Sequence, residues 1–510
     1  MKIIKNLLLL ISMSTCFAST FADICPPAKQ TYIELNQKAP FVISFGCSMS
    51  QTHHTANTIH PDWLSQKIQN LAMESKNPLE FLIHKDHIGY VMRALPDSIC
   101  STCHTVIQPT KLHLINDKEF IKKLLIDASH EKNESKLTLK QCPLCSGKLI
   151  EQNRKEITLT QSHQQAMIDQ INYLGVKNQI ACTNSNLPTY RFSIEAADIL
   201  KQNSTEIDPL KMAHQANFIA QMGNPLMFLH HYAHPQTISD LFEKSEHAAW
   251  FANYCTEIIK ACPNVTHICP ISQPVALSHR VTRSTLPPFK TSISQASYLN
   301  NINQAQVLAC QEMKKINPNL KVLMSHQWKP FKPYHSMLSP WYALEKLACM
   351  FADKMYNGDF VRIFAPHQDI FDGIALSVYS ALSVDKWMPV GNNCDGVFNK
   401  EDALEAIMQT HYAFPKKDIY IIEAGCNTTD PENKKAFIDM MLHVCKIAQN
   451  RGVNIKGLYF WGHTNDPEFY YEWNFQPEST HFAPFDLLDP QNPEGSVNAS
   501  GAYLKEILKP

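Results

Sequence analysis

The chain has almost no surplus charge: 46 Lys and Arg stand against 47 Asp and Glu, a net charge of −1 over 510 residues. A balance that even lacks the basic field needed to neutralise a phosphate backbone, which excludes nucleic acid as the natural partner. Charged residues make up only 18% and apolar ones 44%, so the chain buries a large core and is not disordered. No segment beyond the N-terminus approaches the length needed to span a bilayer, and there is no internal repeat or low-complexity tract.

What is present begins with a leader. Lys2 and Lys5 precede the run Leu7-Leu8-Leu9-Leu10-Ile11, and small residues continue to Ala22. That pattern predicts a signal peptide over residues 1–22, too short in its apolar part for an anchor, and export to a periplasmic or extracellular location. Cys16 would leave with it, so fifteen of the sixteen cysteines remain. An odd number in a disulfide-permissive compartment requires that some be free, metal-bound or paired between chains. Cys182, Cys255, Cys262, Cys269, Cys310, Cys349, Cys394, Cys426 and Cys445 lie mostly in apolar patterns, and most of them read as buried thiols.

Short apolar runs alternate with helical stretches through residues 23–510, the pattern of a parallel sheet covered by helices. Strands are expected at 41–49, 189–195, 225–232, 267–271, 321–326, 373–379, 419–423 and 457–461. Phe251, Tyr254, Cys255, Ile258, Ile259 and Cys262 share one helical face, as do Phe437, Met441, Val444 and Ala448. Eight strands in this alternation predict an α/β fold, a (β/α)8 TIM barrel forming one domain.

More than a hundred residues interrupt the pattern after the first strand, including a cysteine-rich insert over 65–160. It carries Cys100-Ser-Thr-Cys103 and Cys142-Pro-Leu-Cys145, with 38 residues between Cys103 and Cys142. Four thiolates on two short loops suit tetrahedral zinc, so a zinc-ribbon-like insert with structural zinc on Cys100, Cys103, Cys142 and Cys145 is expected. Disulfides are the alternative that export favours. A haem attachment at Cys100-x-x-Cys103-His104 would leave the second pair unexplained. A helix is expected near residues 118–126. Because a loop after a barrel strand emerges on the face that carries active sites, the insert is expected to wall the pocket and offers a surface for a protein partner.

Glu423 ends the apolar run Ile419-Tyr420-Ile421-Ile422, and an unpaired buried carboxylate there is expensive. Ser272-Gln273-Pro274 closes a second run, His267 to Ile271. Further strand ends carry Phe45-Gly46 with Gln51, Tyr190-Arg191-Phe192-Ser193, Leu229-His230-His231-Tyr232 through Gln236, Ser377-Val378-Tyr379, and Gly457 to Trp461 followed by Glu468-Phe469. In this order the set resembles glycoside hydrolase family 1 over nearly all of the chain outside the leader and insert.

The resemblance implies a retaining β-glycosidase scaffold that binds a carbohydrate or glycoside and needs no cofactor for catalysis. It implies Glu423 as nucleophile, Arg191 as its ion-pair partner and Tyr379 as a hydrogen-bond donor to it. Gln51, His231, Ser272, Trp461, Glu468 and Phe469 fall at sugar-binding positions. One departure governs the chemistry: the family has Asn-Glu-Pro where this chain has Ser272-Gln273-Pro274, similar at the Gln to plant myrosinases. An amide has no titratable proton, so Gln273 cannot serve as general acid or base. The expected function is an exported glycosidase acting on activated or specialised glycosides, or using a substitute acid such as Glu195, His53 or His54. The alternatives are a catalytically silent carbohydrate-binding protein and, more remotely, a redox or haem protein.

Overall fold

The computed structural model describes residues 28–47, 98–100, 106–107, 149–151, 161–176, 186–282, 291–392, 399–463, 483–485 and 497–509, apart from 202, 203, 233, 236, 237, 239, 386, 387 and 427. The leader, Gln51, His53, His54, the expected helix at 118–126, Cys103, Cys142, Cys145, Cys182, Cys394, Glu468 and Phe469 lie outside the described residues.

Eight parallel strands close into a barrel: β1 Val42–Cys47, β2 Tyr190–Ser193, β3 Pro225–Phe228, β4 His267–Cys269, β5 Lys321–Gln327, β6 Gly373–Val378, β7 Asp418–Ala424 and β8 Ile455–Trp461. Their order around the barrel is sequential, with β1 closing the ring between β8 and β2. The expected (β/α)8 fold is therefore observed, with strand ends shifted by a few residues. Each strand reads as a near-continuous apolar run because both of its faces are covered.

The helices follow in alternation: α1 Gln161–Tyr173, α2 Pro209–Met222, α3 His247–Ala261, α4 Gln295–Ile316, α5 Tyr342–Phe364, α6 Lys400–Ala413, α7 Pro431–Asn450 and α8 Ala499–Leu508. Several begin at a side-chain cap, as Asp208 does for α2, Asn399 for α6 and Asp430 for α7, each accepting from a backbone N–H of the first turn. An additional helix, Pro274–Thr282, starts at the residue after Gln273.

Two apolar layers result. Outward residues such as Ile268, Met324, Ile374 and Ile421 pack under the helices, while Leu226, Phe228, Cys269, Leu323, Ala375, Tyr420 and Ile422 fill the barrel interior. Packing between β6 and β7 is tight at Gly373, where an added Cβ would sit 2.8 Å from the Asp418 carbonyl oxygen. The thiols of Cys255, Cys262, Cys269, Cys310, Cys349 and Cys445 are buried and unbridged. Burial pushes those of Cys262 and Cys310 up to about 12.

From the insert region, Ser98–Cys100, Val106–Ile107 and Leu149–Glu151 form a three-stranded antiparallel sheet with Cys100 opposite Leu149. Among the described residues, no helix is long and apolar enough to cross a membrane.

Candidate active site

Strict alternation along β7 would turn Glu423 outward with Ile419 and Ile421. A bulge prevents this. The β6 pairing runs from Leu376 opposite Ile421 directly to Ser377 opposite Glu423, leaving Ile422 as the extra residue. The β8 pairing shifts over the same stretch. Such an insertion re-aims the next side chain, here Glu423 toward the C-terminal mouth of the barrel.

The Glu423 carboxylate is 3% exposed and surrounded by donors. Arg191 Nη2, from β2, lies 3.0 Å from Oε1. Tyr379 OH donates to Oε2 at 3.2 Å, and Gln273 Nε2 donates to the same oxygen at 2.9 Å. His231 Nε2 stands 4.0 Å from Oε1. Burial pushes the Glu423 carboxyl above its ordinary value, while Arg191 and the hydroxyls of Ser377 and Tyr379 pull the other way. Burial and the Arg191 charge hold His231 well below its usual value, so its ring is neutral at neutral pH.

Two aromatic rings lie against Arg191. Its guanidinium carbon lies 4.3 Å from the Phe228 ring centroid and 4.7 Å from that of Trp461. His231 meets Trp461 edge to face at 5.6 Å, and its Nδ1 lies 3.1 Å from Ser193 Oγ.

Gln273 is 6% exposed and its amide is saturated. Nε2 donates to Ser377 Oγ at 2.9 Å as well as to Glu423, and Oε1 accepts from Tyr232 OH at 2.7 Å. Its backbone N–H donates to Ser325 Oγ at 3.1 Å. Both Tyr232 (φ 77°) and Gln273 (φ 42°) occupy left-handed backbone that non-glycine residues rarely adopt, at about 1–3 kcal/mol each. Two strained residues thus share one hydrogen bond at the centre of the site. Retaining hydrolysis uses carboxyl groups about 5 to 5.5 Å apart. Here an amide at position 273 meets the Glu423 carboxylate in a direct hydrogen bond.

The structure brings Arg191, His231, Gln273, Tyr379, Glu423 and Trp461 together, with Ser272 buried beside them and its Oγ lacking a hydrogen-bond partner among the described residues. Glu195 does not join them. Strand β2 ends at Ser193, so the alternation does not extend to Glu195, whose Oε2 instead lies 3.7 Å from His230 Nδ1 in a buried pair. Ser193, Tyr232, Ser325 and Ser377 escaped sequence reasoning as contacts. Ser377 was findable from its place two residues before Tyr379; nothing in residue type marks the positive φ of Tyr232.

No protein-family model matches the chain, and no curated protein matches it in sequence. Solved structures do resemble it. A family 1 β-glucosidase from Thermotoga maritima, in complex with isofagomine lactam, aligns with a TM-score of 0.55 at 16% identity, covering 68% of this chain and 86% of that one. A β-glycosidase from Pyrococcus horikoshii gives 0.51 at 17% identity, covering 66% and 85%. The virulence factor SghA, solved with its substrate analogue salicin, gives 0.54 at 13% identity, covering 68% and 85%. At these identities the likeness concerns the fold, which is that of the family 1 glycosidases.

Proposed function

We propose that the chain is an exported retaining glycosidase of the family 1 type, with Glu423 as nucleophile and no general acid at position 273. Its substrates are glycosides whose leaving group departs without being protonated. The observation that carries this reading is the Glu423 carboxylate, ion-paired with Arg191 at 3.0 Å, hydrogen-bonded by Tyr379, and faced by an amide rather than an acid. Arg191 keeps the carboxylate ionised, as nucleophilic attack requires. His231 and Trp461 would contact the sugar, joined by Gln51, Ser272, Glu468 and Phe469.

A catalytically silent carbohydrate-binding role is the second reading. It is favoured by the direct Gln273 to Glu423 hydrogen bond, which engages the carboxylate that would have to attack. Incubation with dinitrophenyl 2-fluoroglycosides followed by intact-mass measurement separates the two. A covalent adduct on Glu423 is expected; no adduct across the common sugars would leave only the binding role. Azide should then accelerate the second step, because this anion attacks C1 without a base, releases Glu423 and leaves as the β-glycosyl azide.

In the insert, zinc on Cys100, Cys103, Cys142 and Cys145 remains our proposal. The pairing of Cys100 with Leu149 supports it, since it sets the first cysteine beside the segment following Cys145 in sequence. One zinc per chain in metal analysis is expected, and a metal-free protein with no titratable thiols in this segment would favour disulfides.

A further inference from the structure

In retaining hydrolysis the acid group stands against the departing oxygen, so Gln273 marks the side from which a leaving group exits. Beyond it the chain becomes cationic. Tyr232, bonded to Gln273 through its hydroxyl, carries the Arg280 guanidinium over its ring, with Cζ 5.2 Å from the centroid. Arg280 comes from the helix Pro274–Thr282, and its charge is felt by both Glu423 and His231.

The same helix meets Tyr356 of α5, whose ring stacks on that of His279 with centroids 5.5 Å apart. Its ring has Lys329 Nζ 4.8 Å from the centroid, and its phenol is within the field of Arg280. Tyr356 is 8% exposed, yet its hydroxyl has no hydrogen-bond partner among the described residues. A buried donor without a partner is costly unless a ligand supplies one. The helix after β4, the loop after β5 and α5 thus bring Arg280 over Tyr232 and Lys329 over Tyr356.

We propose that this is a subsite for an oxyanion leaving group, and that the substrate is a glycosyl ester of an oxyacid, with a β-glycosyl phosphate as its principal form. The inference rests on the reading of Glu423 as nucleophile and names the substrate class that reading leaves open. Glu423 attacks the anomeric carbon of the phosphate monoanion. The C1–O bond breaks, and its electron pair leaves on hydrogen phosphate, a stable dianion that needs no proton from position 273. Water then adds to C1 and releases Glu423. The proton of that water passes to the hydrogen phosphate still held by Arg280, so the leaving group also replaces the missing base. A guanidinium fork suits phosphate and carboxylate oxygens alike.

The test uses the full chain and its Arg280→Leu and Arg280→Lys variants. One arm compares kcat/KM for β-glycosyl phosphates, β-glycosyl benzoates and dinitrophenyl glycosides across gluco, galacto, manno and N-acetylglucosamine series. The other titrates inorganic phosphate calorimetrically. Arg280→Leu should lower the phosphate-to-dinitrophenyl selectivity ratio by about 10²-fold and weaken phosphate binding in parallel. Arg280→Lys should recover part of both, and it carries the test if the leucine variant does not fold. A benzoate preference that depends on Arg280 equally would identify a carboxylate in place of phosphate and overturn the principal form. Equal ratios and equal phosphate affinity in all three proteins, with Glu423 still labelled by the 2-fluoroglycoside, would overturn the subsite alone. Arg280-dependent phosphate binding without any labelling would overturn the glycosidase reading while sustaining the anion site.

Discussion

Replacing Gln273 with glutamate changes an amide nitrogen into an oxygen and nothing else in size, so the residue keeps its strained backbone and its contact with Tyr232. Two carboxyl groups would then face each other at the 2.9 Å where amide and carboxylate now meet, and both cannot ionise. Glu423 retains Arg191 and Tyr379, so it keeps the charge. The proton therefore resides on the new carboxyl, the state a general acid needs. General acid catalysis contributes about 10² to 10⁴ in rate, roughly 3 to 5 kcal/mol of barrier. Gln273→Glu should gain that factor on glycosides with poor leaving groups and little on activated ones. The assay is a series of aryl glycosides from dinitrophenyl to phenyl. The present chain should lose activity steeply along the series, and the variant should flatten the slope. An unchanged rate on the phenyl glycoside, with Glu423 still accessible to the 2-fluoroglycoside, would refute the view that the amide alone disables acid catalysis.

Other outcomes follow from the same geometry. The rate of Glu423 labelling should rise with pH through a single midpoint above the ordinary 4.5, because burial raises this carboxyl and only its ionised form attacks. An additional alkaline fall through pH 8 would reveal an acid that the site does not display. Arg191→Leu strands a buried carboxylate and should cost about 3–5 kcal/mol at neutral pH, read from denaturant midpoints. Because a raised carboxyl stabilises the fold most below its unfolded value and loses this as pH rises through its folded one, the deficit should shrink at acidic pH; an equal deficit at pH 4 and pH 7 would be inconsistent. Gly373→Ala should lose about 1–3 kcal/mol, since the new Cβ meets the Asp418 carbonyl oxygen; an unaltered midpoint would mean that β6 and β7 separate easily.

The barrel was legible because doubly covered strands are written as short apolar blocks, and α3 and α7 display their buried faces at helical spacing. The ends of the strands were less so. Alternation alone would have turned Glu423 into the helix layer, and only the bulge at Ile422 returns it to the mouth. Alternation says nothing of Glu195, because β2 stops at Ser193. The Arg191, Tyr379 and Glu423 grouping could be read from an order of strand ends shared with a family. The closure of Gln273 onto Glu423 could not, since it depends on Tyr232 and on two backbone angles that no residue type announces.

The unbridged thiols in the barrel's packing have a consequence for how such a chain is made. No sulfur bond holds these cysteines together, and burial suppresses the thiolate form that an oxidant would attack. Their protection is thus a product of completed folding, absent while the polypeptide is still open. In an oxidising compartment, maturation becomes a race between collapse and cross-linking. Renaturation from denaturant should accordingly need a reducing agent even though the finished barrel does not.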